Sequence, residues 1–599
     1  MIIKFYEKIL NPIFLIKYGY YDYEIKKEQM NDELYGQSPT LFYNIFNMDD
    51  FALFLTKYGD NVELLKNDLK LDYYTKKNTV PVSFSIPKDN VARRQLKFPN
   101  IYSYTILAYY INENKKEFFN VFAKNKNSIS KYFNQLGYKY KKTEKIRYKL
   151  LFNGKRCLYI DLSNFYHTLY THSIPWVIMG KDKAKKERNK GFSNRLDKLI
   201  QRSQDGETYG IPTGNMVSRI VAELYMCYID NELNELESKY TYSRYVDDII
   251  FPFNYDEERI SFYQDFQQIC DKYNLKINEK KTKIEEFPYI DINNKSKLFT
   301  FLENLNDNKK NNEWINEFLS FIDFCLLNEV KGNKGSIKII FTSIYFKIKD
   351  SKKSEKDIDK IFTRYDNFAN FNLYEKILDI SLLDSKLTNY FIEFTKNIIS
   401  KGVDKYKLDL IVEKYFESNK FKIKNQINDY NENFKNQELY QLLLYCVFFN
   451  NKKLFITEEL LNLINPNTDD FSLVLIFILI YRNQNKEKIN EALRKFDQLF
   501  FENHKNYPNN YVRLQESFWF VRYFIYSAID YKIIDIDDYF ISYKIKKDLK
   551  NGFYISELNW EYIKSLNPEN PINIFYAKLL TEKVKFVSFG DKNDFKYYI

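Results

Sequence analysis

The stretch YSRYVDDIIFPF, residues 242–253, decides how the middle of this chain is read. Aromatic and β-branched residues flank the pair Asp247-Asp248 on both sides. Such residues favour strands, and an acidic break between two strand-like runs marks a turn. We therefore expect two short strands joined at a turn that carries two carboxylates. An Asp-Asp pair at a turn is, taken alone, usually only solvated, so its surroundings must carry any further reading.

Working outward, CLYIDL (157–162) reads as another strand and brings in a third carboxylate, Asp161. GIPTGN (210–215) is a Gly-x-Pro-x-Gly loop, a strong break in regular structure. It leads into NMVSRIVAELYMCYID (215–230), where Val217, Ile220, Val221, Leu224 and Cys227 recur at helical spacing. DEERISFYQDFQQICDKYN (256–274) predicts a second helix, with Ile260, Tyr263, Phe266, Cys270 and Tyr273 on one side, and LKIN (275–278) a further short strand. This order of elements predicts an α+β domain built on an antiparallel sheet.

Carboxylates at adjacent strand ends are suited to a particular chemistry. Two of them can hold a pair of Mg²⁺ ions about 4 Å apart. Mg²⁺ takes oxygen ligands and keeps positions open for water and substrate phosphates. One ion activates an attacking hydroxyl and the other neutralises a triphosphate, which is the arrangement for in-line nucleotidyl transfer.

Taken together, these motifs resemble the palm of reverse transcriptases. YVDD (245–248) is the most specific piece, DLSNFY (161–166) looks like the first catalytic motif, and GIPTGN like the loop beneath the incoming nucleotide. LKINEKKTK (275–283) is similar to the following lysine-bearing motif, and FSIPKDNVARRQLKFPN (84–100) to the fingers strands. The resemblance implies Asp161 and Asp247 as metal ligands, with the Leu162 carbonyl, and Asp248 as the third carboxylate. It implies Lys281 as a proton donor to pyrophosphate, with Lys280 and Lys283 as close competitors. Tyr166 matches the steric gate that favours deoxynucleotides. Pro212, Thr213 and Gly214 would lie under the nucleotide. Arg93 and Arg94 would grip the triphosphate, assisted by Lys88 and Lys97. Neighbours on a strand face opposite ways, so at most one of the two arginines should reach the site. Thr213 stands where the family usually has Gln, which implies fewer contacts to nucleotide and template. The implied cofactor is Mg²⁺, two ions, with Mn²⁺ as a substitute.

Further stretches resemble a narrower group, the abortive-infection polymerases of bacterial phage defence: NPIFLIKYGYYD (11–22), YIDLSNFYHTLYTHSIPW (159–176), NQELYQLLLY (436–445) and ELNW (557–560). That group joins a reverse-transcriptase-like domain to a helical, HEAT-like one. The resemblance implies DNA synthesis without a template, started on a tyrosine hydroxyl, with the single-stranded product left covalently attached. Tyr35, in ELYGQS, is the implied primer and Tyr43 the runner-up. It also implies deoxynucleoside triphosphates as substrates and a homo-oligomer, trimer or hexamer. The other readings are a conventional RNA-templated reverse transcriptase and a helical scaffold with a vestigial polymerase site.

The polar stretch LNDNKKNNEW (305–314) suggests a boundary, giving a fingers and palm unit over 1–305 and an α-helical unit over 306–599. Beyond it, helical patterns such as 372–399, 437–449 and 491–501 follow one another without a strict repeat period. The eleven-residue apolar run Phe471 to Tyr481 is too short for a membrane span and predicts a buried helix. His504, Trp519 and Trp560 read as packing residues.

The chain has 599 residues, of which 45% are hydrophobic and only 15 are Gly and 13 Pro, so collagen-like and largely disordered classes are excluded. Its net charge of +11 permits a nucleic-acid partner without requiring one. The basic stretch KDKAKKERNK (181–190) is either a product guide or a solvated insertion. Five cysteines without CxxC spacing, together with three histidines, argue against disulfide or zinc frameworks. The poor signal-peptide character of the first residues fits a cytoplasmic protein with no membrane partner.

Overall fold

The computed structural model describes residues 2–21, 42, 45–59, 61–89, 91–130, 140–188, 190–236, 240–289, 296–366, 370–451, 454–482, 486–503, 516–530 and 570–587. Two sheets appear among them. β1 (Val82–Pro87) and β2 (Arg93–Phe98) form an antiparallel hairpin. β3 (Arg156–Asp161), β4 (Ser243–Tyr245), β5 (Asp248–Phe253) and β6 (Lys283–Glu286) form a second sheet in the order β4-β5-β3-β6. Every pair in it is antiparallel, as expected of the α+β domain.

Burial explains the two inner strands. Cys157, Leu158 and Ile160 of β3 are buried, as are Ile249 to Phe253 of β5. β5 even tolerates Pro252. β4 pairs with it only as far as Ile250, so no strand lies on that side of the proline to need its missing N–H. β4 and β6 are the edge strands, and the β6 sequence KIEE is mostly exposed and charged, which discourages further pairing.

Two local expectations are corrected. LKIN does not form a strand. Ile277 makes an isolated antiparallel bridge to Leu162, and the next strand comes later, at β6. The signal was missed because β6 lacks the apolar alternation of a half-buried strand. The helix after β5, Asp256–Lys272, buries Phe262, Phe266, Ile269 and Cys270, while Ile260 is exposed. Phe266, Cys270 and Tyr273 are thus buried as expected, while Phe262 and Ile269 take the inner places expected for Ile260 and Tyr263, the Phe262 ring stacking on Phe251 of β5 with centroids 4.1 Å apart.

The helix Met216–Leu236 is longer than expected and is buried along most of its length. Its entry is capped by Asn215, whose Oδ1 accepts from the Ser218 N–H at 3.0 Å. From Asn311–Val330 onward the described chain is a succession of helices. The apolar run becomes the helix Asp470–Arg482, buried nearly throughout. All five cysteines are buried, and Trp519 is too. No described helix is long and apolar enough to cross a membrane.

Candidate active site

The antiparallel pairing of β3 and β5 sets Asp161 directly opposite Asp248, and β4 sets Tyr245 opposite the same residue. Asp247 lies in the turn between β4 and β5. Like charges across a strand pair are destabilising, and the protonation equilibria show the strain. The surrounding protein pushes Asp247 up, and the charge of Asp161 adds to this. Asp248 is exposed on one side, yet desolvation on the other and the charges of Asp247 and Asp161 push it up to about 6.

Asp161 is nearly buried and fully engaged. Its Oδ2 accepts from Asn278 Nδ2 at 2.9 Å and its Oδ1 from Lys281 Nζ at 2.9 Å. The Asn278 N–H also donates to the Asp161 carbonyl at 2.8 Å. The bridge at Ile277 therefore serves to carry Asn278 and Lys281 to the carboxylate. The same bridge leaves the Leu162 carbonyl pointing away from Ile277, because its hydrogen bonds are made by the residues on either side. The Lys281 ammonium is stabilised by its bond to Asp161. Lys283 instead pairs with Glu285.

Among the described residues, no group of three or more His, Cys, Asp or Glu side chains is arranged so that it could hold a metal ion by itself. The donor set is nevertheless chemically suited to a hard cation. It is all oxygen, it is open at Asp248, and its carboxylates disfavour one another's charge, a conflict that a divalent ion relieves. An open, partly water-filled shell is what Mg²⁺ prefers.

The turn itself is strained. Val246 has φ +58°, a left-handed conformation that a β-branched residue rarely adopts. Hydrogen bonds hold both sides of its backbone: its N–H donates to Ser130 Oγ at 2.9 Å, and its carbonyl accepts from Arg244 Nη1 at 3.0 Å. Arg244 is completely buried and is clamped in turn by Glu223 and Asp230, at 3.0 and 2.8 Å. Ser128 donates to Glu223 at 2.6 Å, and Asn125 to Asp230 at 2.7 Å. The Arg244 charge holds the Glu223 carboxyl down against a burial that would raise it. Sequence reasoning missed this network. Its trace was present, since Glu223 and Asp230 stand seven residues apart on one helical face with only apolar and aromatic residues and Cys227 between them, and Arg244 is next to the YVDD box.

Tyr166 sits in the short helix Phe165–Thr168, just after β3, and its carbonyl accepts from the Ile211 N–H at 2.8 Å. The GIPTGN loop is thereby fixed beside it. Gly210 (φ +74°) has no room for a side chain, because a Cβ would lie 2.9 Å from the His167 carbonyl oxygen. Pro212 is buried, and its carbonyl accepts from Asn215. Thr213 turns its hydroxyl to the β1–β2 hairpin, donating to the Gln95 carbonyl at 2.7 Å, while its own carbonyl accepts from the Lys97 N–H at 3.0 Å. Gly214 packs against Phe98. The residue that replaces the family's Gln therefore fastens the loop to β2.

The two arginines diverge. Arg93 is drawn away into a two-pronged ion pair with Glu438, both bonds 2.7 Å, and also bonds Ser85. Arg94 is exposed, and its charge opposes the upward push on Asp247. With Lys97 and Lys88 it also lowers the pKa of His167, after burial, which places these cations around the first motif. Lys97 is paired with Glu207 at 2.7 Å. Tyr35 and Tyr43 lie outside the described residues, as do His504 and Trp560.

Comparison with known proteins agrees with this geometry. The reverse transcriptase (RNA-dependent DNA polymerase) family matches residues 119–322. That span holds Asp161, Tyr166, the 210–215 loop, Asp247, Asp248 and Lys281, but not the β1–β2 hairpin or the helices after residue 322. The chain carries a reverse-transcriptase-like polymerase domain, of the nucleotidyltransferase type. No curated protein matches the chain closely.

Proposed function

We propose that this protein is a DNA polymerase of reverse-transcriptase type that starts synthesis on one of its own tyrosines and extends without a template, as part of abortive-infection defence against phage. The observation that carries the polymerase reading is the convergence of Asp161, Asp247 and Asp248 at the β3–β5 junction, within the matched span.

In this reading Asp161, Asp247 and the Leu162 carbonyl would hold two Mg²⁺ ions. When bound, the ions lower the pKa of the attacking hydroxyl and offset charge on the triphosphate. The chain's own groups do the rest. Asn278 keeps Asp161 oriented. Lys281 holds a proton at Nζ and can deliver it to the departing pyrophosphate as the hydroxyl oxygen bonds to the α-phosphorus. Arg94 meets the triphosphate. Tyr166 fills the space of a ribose 2′-hydroxyl.

Template independence draws support from Thr213, whose hydroxyl is used on Gln95 and is not free to read a template base. The priming step rests on the resemblance around Tyr35. The two units over 1–305 and 306–599 rest on the polar stretch at 305–314, and the HEAT-like character of the second and assembly into a ring rest on the same resemblance.

The test is a reaction of purified protein with labelled deoxynucleotides and Mg²⁺, with no nucleic acid added. Label should stay on the protein through denaturation and be released by protease, and Asp247→Asn should lower it by at least ~10³-fold, about 4 kcal/mol of barrier. Tyr35→Phe should abolish attachment. Product that forms only with added primer and template would overturn the proposal in favour of a templated enzyme.

A further inference from the structure

Beside the gate residue the structure carries an aromatic ledge that the catalytic reading does not use. The backbone hydrogen bonds joining Tyr166 to Ile211 continue outward, from Gly210 N–H to Leu169 and from Thr171 N–H to Thr208. This pairs Tyr170 with Tyr209 in an isolated antiparallel bridge. Tyr170 is the hub of four rings. Its centroid lies 5.1 Å from His172, 5.6 Å from Trp176 and 5.5 Å from Tyr209.

The ledge is both built and open. His172 is anchored through Nδ1 to the buried Asp197 carboxylate at 2.7 Å. Tyr209, by contrast, is 69% exposed, although it belongs to a residue class that usually covers itself. One edge is basic. Lys181 lies over the Trp176 ring with Nζ 4.6 Å from its centroid, and it opens the helix Lys181–Lys186, where Lys183, Lys185 and Lys186 are also exposed. Six basic residues stand against two acidic ones over 181–190.

One exposed ring, Tyr209, and three half-buried ones beside a row of cations suit one kind of partner. Unpaired bases offer π faces to the rings, and their phosphates meet the lysines. A folded duplex would hide those faces, and an acidic peptide would leave the rings uncovered. We propose that this ledge, Tyr170, His172, Trp176 and Tyr209 with Lys181, seats the bases of a single-stranded nucleic acid next to the polymerase site. The inference rests on the polymerase reading for its biological sense, but its binding chemistry is tested separately.

The experiment titrates the full-length protein with fluorescein-labelled oligo(dT), following probe anisotropy and tryptophan emission together. The parent protein should bind with quenching of Trp176, a signal that Trp176→Phe removes while binding persists. Tyr209→Ala should weaken binding by about tenfold or more, and Tyr209→Phe should retain it. Lys183→Glu with Lys185→Glu should reduce the salt dependence. Melting temperatures of each variant separate a lost contact from a lost fold. Equal affinity of Tyr209→Ala and a parent-like melt would overturn the ledge, as would heparin competing fully for a site that shows no quenching. Oligo(U) in place of oligo(dT) asks which sugar is preferred, and tight binding of either supports the ledge. Binding without nucleotide incorporation sinks the polymerase reading alone. Incorporation that ignores the ledge variants in binding and yield sinks the ledge alone.

Discussion

Thr213 shows how one side chain can change what a loop does. A longer amide at this position would extend from the loop. The short hydroxyl instead bonds the Gln95 carbonyl and ties the 210–215 loop to β2. Thr213→Val keeps the shape and leaves that carbonyl without its donor, so we expect a loss of about 1 kcal/mol in urea unfolding, with Thr213→Ser close to the parent. The same scale explains why Asp161 was readable and Asn278 was not. A carboxylate ending a β-branched and apolar run is a distinctive pattern, whereas Asn278 is one of many asparagines in this chain. Only the bridge at Ile277 brings it within 2.9 Å of Asp161.

Among the elements, the β4–β5 turn depends on a buried cation. Arg244 joins Val246, Glu223 and Asp230, so it links the strained turn to the helix Met216–Leu236. Arg244→Met would leave two buried carboxylates uncompensated, and a destabilisation of about 3–5 kcal/mol is expected by denaturant titration. Arg244→Lys should not restore it, since an ammonium cannot span the fork of acceptors. The helix Asp470–Arg482 contains a second buried acid of the opposite kind. Burial, then the neighbouring Asp469, pushes Asp470 up to about 7, and its carboxylate accepts a bond from the Phe520 N–H at 3.2 Å. Asp469 itself is pushed up to about 6 by burial. An acid raised in the folded state binds a proton that the unfolded chain, near pKa 3.9, has already lost. Its contribution is therefore fully present at low pH and falls as pH rises through about 7. Asp470→Asn, which keeps an acceptor for Phe520, should flatten the melting temperature between about pH 5 and about pH 8. The difference is on the order of 2 kcal/mol at the upper end.

Over the whole molecule, the apolar core does not stop where the sequence changes character near residue 305. Phe42, Phe84 and Phe98 pack on Phe471, with centroids 4.4, 5.9 and 5.5 Å away, and Phe84 also meets Tyr440. Tyr576 donates to Asn100 at 2.7 Å, and Arg93 closes on Glu438. The β1–β2 hairpin is therefore held by helices from the far end of the chain. With Arg93 and Glu438 only 25% and 18% exposed and paired through both prongs, a double-mutant cycle of Arg93→Ala and Glu438→Ala should give a coupling of about 1–2 kcal/mol. A value near zero would mean that the hairpin is held by the aromatic contacts alone.

The sequence by itself determined the strands at 157–162 and 242–253, the carboxylates they carry, the glycine-bounded loop and the helical character after residue 305. All of these are written in local periodicity and in short motifs whose residue types have few other uses. The tertiary structure alone decided which arginine faces the site, that Thr213 grips β2, that Asn278 and Lys281 close on Asp161, and that a buried Arg244 holds the turn. Each of these depends on which of several chemically equal side chains comes within about 3 Å of a partner. That distance is set by long-range packing, on which the order of residues along the chain places no local mark.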